Sequence, residues 1–222
     1  MRFFRSKPAQ RFRNYHRYRQ LTRSDFRRVC AHCFRHEEEA GGEEHFVQDH
    51  FKPKHLPDVD PAEFSNLYWS CTGCNARQNK GTTWPSTAQW LRGERFCDPC
   101  DHDPVGTDYV ETPAGPLKTL TPAGEFTNRH LRLSVRKSLL DCRTRRKNLK
   151  RLYQRDLGRL EAALRHFEEL VGDDGPENQR QLLQTLEGLV EAYGGFVGRE
   201  PFTVGNVPPA LPSEIELILT AS

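Results

Sequence analysis

The sequence predicts an α+β fold in which short strands surround a metal-binding core and a mainly helical region follows. Cysteine pairs with C-x2-C spacing and two short apolar runs predict the core. Apolar residues at three- and four-residue steps after residue 148 predict the helical part. We therefore divide the chain into a basic and aromatic N-terminal arm (1–29), a metal-framed domain with a hairpin extension (30–130), and a helical C-terminal region (131–222).

Composition limits the class of protein. The chain has 222 residues, of which 36% are apolar, and its three tryptophans and 13 phenylalanines favour a folded core. Six of the seven cysteines fall in C-x2-C pairs, which suits metal binding in a reducing compartment. No apolar run approaches the ~20 residues of a membrane span, and no secretory signal is evident. These features predict a cytoplasmic protein without a membrane partner.

Four cysteines form the predicted metal site. They are Cys30, Cys33, Cys71 and Cys74. Two residues between paired thiolates let both sulfurs face one ion at tetrahedral angles, so two such pairs favour a structural zinc over disulfides or unliganded core thiols. His32 and His36 lie within and just after the first pair. We expect them at the surface, because four thiolates already close a structural site.

A third C-x2-C pair, Cys97 and Cys100, precedes His102 and His130. A second zinc site is one interpretation of this pair. The other is a turn without metal, because the pair has no partner pair elsewhere in the sequence.

The segments around the second cysteine pair have the order strand, loop, strand, helix. Residues 45–51 alternate in polarity as a short strand does, and residues 67–70 form a second apolar run. Residues 54–63 hold two prolines and three acids and predict a loop. Residues 75–80 predict a short helix that Gly81 stops.

The remaining elements are predicted from turn signals and periodicity. Residues 117–127 predict a β-hairpin around a Pro-Ala-Gly turn, and residues 108–110 allow a further strand. Long helices are predicted within residues 131–172 and over residues 177–193, the second stopped by a Gly-Gly pair. The apolar run at 215–219 either docks on these helices or forms a strand that binds a partner.

Positive charge is concentrated near the N-terminus. Residues 1–28 hold ten Lys or Arg against one acid, although the net charge of the chain is only +3. These residues either bind the DNA backbone or form a helix with aromatics on the core and arginines in water. The basic first half of the long helix allows the same two interpretations. The candidate nucleic-acid-binding residues are Arg11, Arg13, Arg17, Arg19, Lys80, Arg143 and Arg146.

These motifs, in this order, resemble the HNH endonuclease family, which has a ββα-metal fold and a four-cysteine zinc site. The resemblance spans roughly residues 15–146. It is carried by Cys30-x2-Cys33, Asp49-His50-Phe51-x-Pro53, Asn66-Leu67, Cys71-x2-Cys74-Asn75, Lys80-Gly81 and Trp84-Pro85. The chain is similar in particular to prokaryotic stand-alone members found beside phage-defence genes such as Septu and retron cassettes.

The resemblance implies a role for each residue that matches the motif. Asp49 corresponds to a metal ligand, His50 to the general base, Asn66 to the residue that steadies the active-site loop, and Asn75 to the second metal ligand. Two extra residues precede the Lys-Gly of the motif, so Asn79 competes with Asn75. The implied cofactors are a structural Zn²⁺ and a catalytic Mg²⁺ or Mn²⁺.

The residue types suit phosphodiester hydrolysis on chemical grounds as well. A histidine can accept a water proton near neutral pH, and carboxylate and amide oxygens are ligands for Mg²⁺. Adjacent strand residues point to opposite faces, so Asp49 and His50 can share a site only if the strand is twisted or the metal lies at its edge.

The function implied by the resemblance is hydrolysis of DNA to 5′-phosphate and 3′-hydroxyl ends in antiviral defence. The alternative is a zinc-dependent DNA-binding subunit of a larger complex that does not cleave. A third hypothesis, compatible with the first, is that the helices dock to an ATPase or sensor protein of a defence system.

Overall fold

The computed structural model describes residues 1–171, 176–198, 208–213, 215, 216 and 219, with side chains at 170 and 171 excepted. The chain divides into two compact units, residues 1–144 and 145–222. Among the described residues, no helix combines the length and the apolar composition needed to cross a bilayer.

Short helices and two pairs of antiparallel strands make up the first unit. The strands are β1 (Phe46–His50), β2 (Leu67–Cys71), β3 (Tyr109–Glu111) and β4 (Leu117–Thr119). The helices that lie wholly in this unit are α1 (Arg19–Asp25), α2 (Glu37–Ala40), α3 (Thr72–Asn75), α4 (Thr87–Leu91), α5 (Pro104–Thr107) and α6 (Pro122–Leu131). The helix α7 (Lys137–Val171) begins in the first unit and continues in the second, which also contains α8 (Glu177–Val197). Single 3-10 turns cover Tyr15–Tyr18, Glu43–His45 and Phe64–Asn66.

The strands predicted on either side of the loop are confirmed. β1 pairs antiparallel with β2, with Asp49 opposite Tyr68 and His50 opposite Leu67. The helix predicted over residues 75–80 is wrong in its position: α3 covers Thr72–Asn75, directly after β2, and residues 76–80 form a bend and turns. The order strand, strand, helix nevertheless holds. The mixture of helices and short antiparallel strands is consistent with the predicted α+β class.

The N-terminal residues belong to the core of the first unit. Phe3, Tyr18 and Phe26 are buried, and the rings of Phe3 and Phe26 lie 4.7 Å apart. The backbone N–H of Phe3 donates to the carbonyl of Pro99 at 2.8 Å. The aromatic side chains of residues 1–29 therefore supply part of the apolar core, which agrees with the second interpretation of this segment.

Arg5 fastens this segment to β2. Its guanidinium donates to the carbonyls of Leu67 and Phe64, and it lies 4.4 Å from the ring centroid of Phe64. Its Nε also lies 3.3 Å from a carboxylate oxygen of Asp25. This arginine therefore stabilises the fold and is not part of a basic surface.

The hairpin predicted at residues 117–127 is wrong in its second half. β4 pairs with β3, which confirms the further strand near residue 109, whereas α6 follows β4. The Thr121 hydroxyl accepts from the N–H of Gly124, and Pro122 occupies the first helical turn. A threonine N-cap followed by proline is a helix-start signal, and it outweighs the turn interpretation.

The long helix predicted within residues 131–172 is confirmed as α7, which covers Lys137–Val171. The second helix differs from the prediction at its C-terminal end. α8 continues through Gly194 and Gly195.

The described part of the second unit has its own apolar cluster. Leu160, Leu186, Ile215 and Leu219 are buried together there. These described residues of the tail therefore pack with the helices. The tail at 199–207, 214, 217, 218 and 220–222 lies outside the described residues.

We expect Arg5→Ala to lower the free energy of unfolding by about 2–4 kcal/mol, because it leaves two buried carbonyls and Asp25 without their cation. Chemical denaturation measures the loss. The matched control is Arg13→Ala, which removes an exposed arginine of the same segment and should change stability by less than about 0.5 kcal/mol. Equal effects of the two substitutions would contradict the structural role of Arg5.

Candidate metal and catalytic site

The four predicted cysteines lie together and fit a zinc site. Their sulfur atoms all lie within 4.8 Å of one another, and all four residues are buried. The Sγ atoms of Cys33 and Cys71 are 3.8 Å apart. A tetrahedral zinc with Zn–S bonds of about 2.3 Å requires sulfurs about 3.8 Å apart, so the donor set and its spacing suit a closed structural site.

Local backbone structure holds both cysteine pairs in place. Cys71 is the last residue of β2, and Cys74 follows within α3. In the first pair, the N–H of Cys30 donates to the carbonyl of Arg35 at 2.9 Å, and the N–H of Ala31 donates to the carbonyl of Trp69 at 2.8 Å. The two pairs are therefore joined through β2 as well as through their sulfurs.

Arg136 supplies positive charge beside the thiolates. Its Nη2 donates to the sulfur of Cys74 at 3.0 Å. Burial lowers the pKa of Arg136, but the nearby Cys74 and Cys33 raise it by more, so its pKa lies above the ordinary value. A Cβ at residue 73 would lie 3.1 Å from the Nη1 of Arg136, so Gly73 leaves room for the guanidinium.

A cleft of about 650 Å³ opens at the end of β1. Asp49, His50 and Asn75 all line this cleft. The two adjacent β1 residues thus face one space, because the cleft lies where the strand ends at His50. The structure brings together three of the four predicted catalytic residues. The other residues that line it are Tyr15, Gln48, Pro53, Lys54, His55, Arg77, Gly81 and Thr82.

Asp49 is 4% exposed, and each of its oxygens accepts a hydrogen bond. The Nζ of Lys80 lies 2.9 Å from Oδ1, and the Nε2 of His32 lies 2.9 Å from Oδ2. Burial raises the pKa of Asp49, but the ammonium of Lys80 and the hydrogen bond to His32 lower it by more. Its pKa therefore lies below the ordinary value, and the group is an ionised acceptor at neutral pH.

Two residues of the cleft carry oxygen atoms of the kind that can bind a cation. A carboxylate has about four lone-pair positions, and the hydrogen bonds from His32 and Lys80 use two of those on Asp49. Asn75, whose side chain carries an amide oxygen, lines the same cleft. Carboxylate and amide oxygens are ligands that Mg²⁺ accepts in proteins.

His50 is held by a backbone carbonyl. Its Nε2 lies 2.9 Å from the carbonyl oxygen of Pro61, and its ring packs edge-on against Tyr15 at 4.8 Å. A carbonyl oxygen only accepts, so Nε2 carries the hydrogen and the neutral ring has its lone pair on Nδ1. Burial lowers the pKa of His50 below its ordinary value, and the bond to Pro61 only partly opposes this.

Asn66 closes the loop that leaves β1. Its side-chain oxygen accepts from the N–H of Lys52 at 2.7 Å, and its Nδ2 donates to the carbonyl of the same residue at 2.8 Å. The side chain therefore acts on the backbone two residues after His50 and does not line the cleft.

Asn75 and Asn79 lie in different environments. Asn75 lines the cleft, whereas Asn79 is buried and donates its amide to the carbonyl of Gly73. Asn79 thus braces the turn between α3 and Gly81. This placement favours Asn75 in the choice that the sequence left open.

Several predicted nucleic-acid-binding residues are committed to internal contacts. Lys80 is 0% exposed and donates to Asp49 and to the carbonyl of His50. Arg143 is buried and donates to the carbonyls of Gly115 and Leu133. The placement of Lys80 and Arg143 on a DNA-facing surface is therefore wrong.

The other candidate arginines differ in exposure. Arg146 is also buried. Arg19 is half-buried and pairs with Glu43 at 3.1 Å. Arg11, Arg13 and Arg17 are exposed, although Arg11 pairs with Asp60. Only these three remain candidates for a surface contact.

The prediction that His32 and His36 lie at the surface is wrong. Both are buried: His32 bonds Asp49, and the Nδ1 of His36 accepts from the N–H of Glu38 at the start of α2. The spacing of the first cysteine pair carries no signal for this. The one signal that points to His32 is the buried carboxylate of Asp49, which requires hydrogen-bond donors.

Cys97 and Cys100 do not form a second cluster of three or more metal-ligating groups within the described residues. Cys97 is buried, and burial is the largest of the effects that raise its pKa well above the ordinary value. Its thiol is therefore a neutral core group at physiological pH.

Comparison of the chain with models of protein families, with curated proteins and with solved structures finds no match. The four-cysteine cluster supports metal binding, and zinc in particular.

We expect Cys74→Ser to remove the zinc and to destabilise the chain by about 4 kcal/mol or more, because a structural metal contributes directly to folding. Elemental analysis should find one zinc per wild-type chain and less in the variant, and thermal unfolding should shift in parallel. Cys142→Ser is the control, since that thiol lies outside the cluster and bonds Glu39. Wild-type protein without zinc, or a Cys74→Ser protein as stable as wild type, would contradict the zinc site.

Proposed function

We propose that this chain is a metal-dependent HNH endonuclease that hydrolyses DNA phosphodiester bonds to 5′-phosphate and 3′-hydroxyl ends. One observation carries the proposal. Asp49, His50 and Asn75, which match three positions of the sequence motif, line a single cleft. The resemblance to the HNH family supplies the reaction, and the geometry supports the roles of the residues.

His50 is the proposed general base. Its Nε2–H donates a hydrogen bond to the carbonyl of Pro61. Its Nδ1 is therefore the nitrogen that accepts the proton of the attacking water. Its lowered pKa keeps the ring neutral, and therefore basic, near pH 7. The ring of Tyr15 limits how far the imidazole can turn.

Asp49 and Asn75 are the proposed cation ligands. The cation supplies a Lewis acid for the phosphate and for the leaving 3′ oxygen when it is bound. Asp49 is held by two hydrogen bonds and offers its remaining lone pairs to the cleft. Asn66 fixes the loop that carries Lys54 and His55 to the cleft wall.

The cleft wall also offers contacts for a phosphate backbone. Lys54, His55 and Arg77 are exposed and line it. Cationic and imidazole groups around the general base suit a polyanionic substrate. Arg13 and Arg17 extend the basic surface along the segment that carries Tyr15.

The alternative is a zinc-dependent DNA-binding subunit without cleavage. The observation in its favour is that Lys80 already neutralises the buried Asp49. A chain of this kind would bind DNA and would show no divalent-dependent loss of supercoiled plasmid.

A defence role, with an ATPase or sensor as partner, is a further part of the proposal that rests on the family resemblance. Co-expression with the protein encoded beside it, followed by size-exclusion chromatography, tests this part. We expect one co-eluting complex. Separate elution of the two proteins at micromolar concentration would contradict it.

Catalysis is tested by two substitutions in β1. We expect His50→Ala to lower the cleavage rate by about 10²–10⁴ while DNA binding and zinc content persist, because the base acts only when water is deprotonated. Asp49→Ala removes a cation ligand, so more Mn²⁺ should partly restore its activity. The readout is conversion of supercoiled plasmid as a function of Mn²⁺ concentration. His50→Ala cleavage at the wild-type rate would contradict the mechanism.

Asn75→Ala and Asn79→Ala complete this series as a matched pair. We expect Asn75→Ala to respond to Mn²⁺ as Asp49→Ala does. Asn79→Ala should lower stability and leave the Mn²⁺ dependence unchanged, because its amide bonds a backbone carbonyl away from the cleft. The reverse result would assign the second ligand to Asn79.

Charge on the N-terminal segment is tested by salt dependence. We expect the double substitution Arg13→Ser and Arg17→Ser to make DNA binding less dependent on salt, since each phosphate contact releases counterions. The slope of log binding constant against log salt concentration should become less negative by about 1–2. The control removes two other exposed cations, Lys118 and Lys137, and should leave the slope nearly unchanged. An unchanged slope in the Arg13 and Arg17 variant would show that these arginines only face solvent.

A further inference from the structure

We propose that His32 is a positioning residue for Asp49, so that the zinc-binding loop sets the geometry of the catalytic cation site. The inference rests on the proposed function, because it concerns the same carboxylate. It adds a direct link between the two predicted metal sites, which the sequence motifs treat as separate.

His32 lies between two zinc-site cysteines and reaches the catalytic carboxylate. It lies between Cys30 and Cys33 in the sequence, and its Nε2 lies 2.9 Å from the Oδ2 of Asp49. The side chains of His32 and Asp49 are 1% and 4% exposed. Solvent therefore does not compete for this hydrogen bond.

The backbone on both sides of His32 is fixed. The N–H of Ala31 donates to the carbonyl of Trp69 in β2 at 2.8 Å, and the N–H of Phe34 donates to the carbonyl of Cys30 at 3.0 Å. The ring of His32 also stacks on that of Phe51 at 6.4 Å. The donor atom is thus held by the cysteine loop and by β2 together.

The direction of the hydrogen bond follows from its partner. Asp49 lies beside the ammonium of Lys80 and accepts, so the Nε2 of His32 donates. The Nδ1 of His32 is buried and has no hydrogen-bond partner in the described part of the chain. A buried polar atom without a partner costs free energy, so an apolar ring would suit packing better. The bond to Asp49 is what makes histidine advantageous here.

The two donors together fix the orientation of the carboxylate. Lys80 holds Oδ1 and His32 holds Oδ2, which determines where the remaining lone pairs of Asp49 point. Without His32, the carboxylate group of Asp49 can rotate about its Cβ–Cγ bond towards Lys80. Loss of an outer-shell hydrogen bond of this kind typically weakens metal binding by about 10–100-fold.

Direct binding of Mn²⁺ to the zinc-loaded full chain, without DNA, tests the inference. Electron paramagnetic resonance measures free Mn²⁺ during the titration. We expect His32→Leu to raise the dissociation constant about 10–100-fold. His32→Gln, which retains an amide donor, should show a smaller increase. His36→Leu is the matched control, because it removes another buried histidine of the same region that does not bond Asp49, and it should bind Mn²⁺ as wild type does.

Asp49→Asn separates this inference from the proposed function. If wild type and Asp49→Asn bind Mn²⁺ equally, the cation site itself is wrong. If Asp49→Asn loses Mn²⁺ but His32→Leu binds it as wild type does, the cation site stands and the role of His32 is overturned. Zinc is measured in each variant. If His32→Leu loses zinc, His32→Gln decides, and loss of zinc in both would overturn the inference by making His32 a structural part of the loop.

Discussion

The cluster of four cysteine sulfurs is the constraint on which the first unit depends. Cys33 and Cys71 are 38 residues apart in the chain, and their sulfurs lie 3.8 Å apart. The strand pair β1–β2 lies within that loop of chain, and a two-stranded hairpin is marginally stable in water by itself. Metal binding by the thiolates would close this loop and hold β1 against β2. The aromatic side chains of the N-terminal segment then share one apolar core with the buried ring of Trp69 in β2.

Burial of charge is the second feature of this unit, and it changes the meaning of the basic composition. The carboxylate of Asp49 is buried, and hydrogen bonds from Lys80 and His32 compensate for its lost hydration. Arg5 and Arg143 likewise donate to backbone carbonyls. These cations stabilise the interior and do not attract a polyanion. The proposed DNA surface is therefore smaller than the sequence predicts and lies around the cleft, with Lys54, Arg77 and the exposed arginines of the N-terminal segment.

What the sequence could predict was mainly local. The spacing of the cysteine pairs, the two strands and the position of Asn75 after Cys74 all depend on neighbouring residues, and the structure places them as expected. The alternation predicted along β1 is not seen, because Asp49 and His50 are both buried where the strand ends. The prediction of a strand in the second half of residues 117–127 is wrong, because the helix-cap signal at Thr121 outweighs the Pro-Ala-Gly turn signal. The burial of His32 and Lys80 could not be predicted, because each depends on Asp49, which lies 17 and 31 residues away in the chain. Charge patterns alone do not separate a buried cation from a surface one.

The proposed function is divalent-dependent cleavage of DNA at the cleft at the end of β1. The most direct measurement incubates purified wild-type protein with supercoiled plasmid in Mg²⁺ or Mn²⁺, and in EDTA, and identifies the termini by end labelling. We expect nicked or linear plasmid with 5′-phosphate and 3′-hydroxyl ends only when the divalent cation is present. DNA binding with no cleavage in either cation, by protein that retains its zinc, would contradict it.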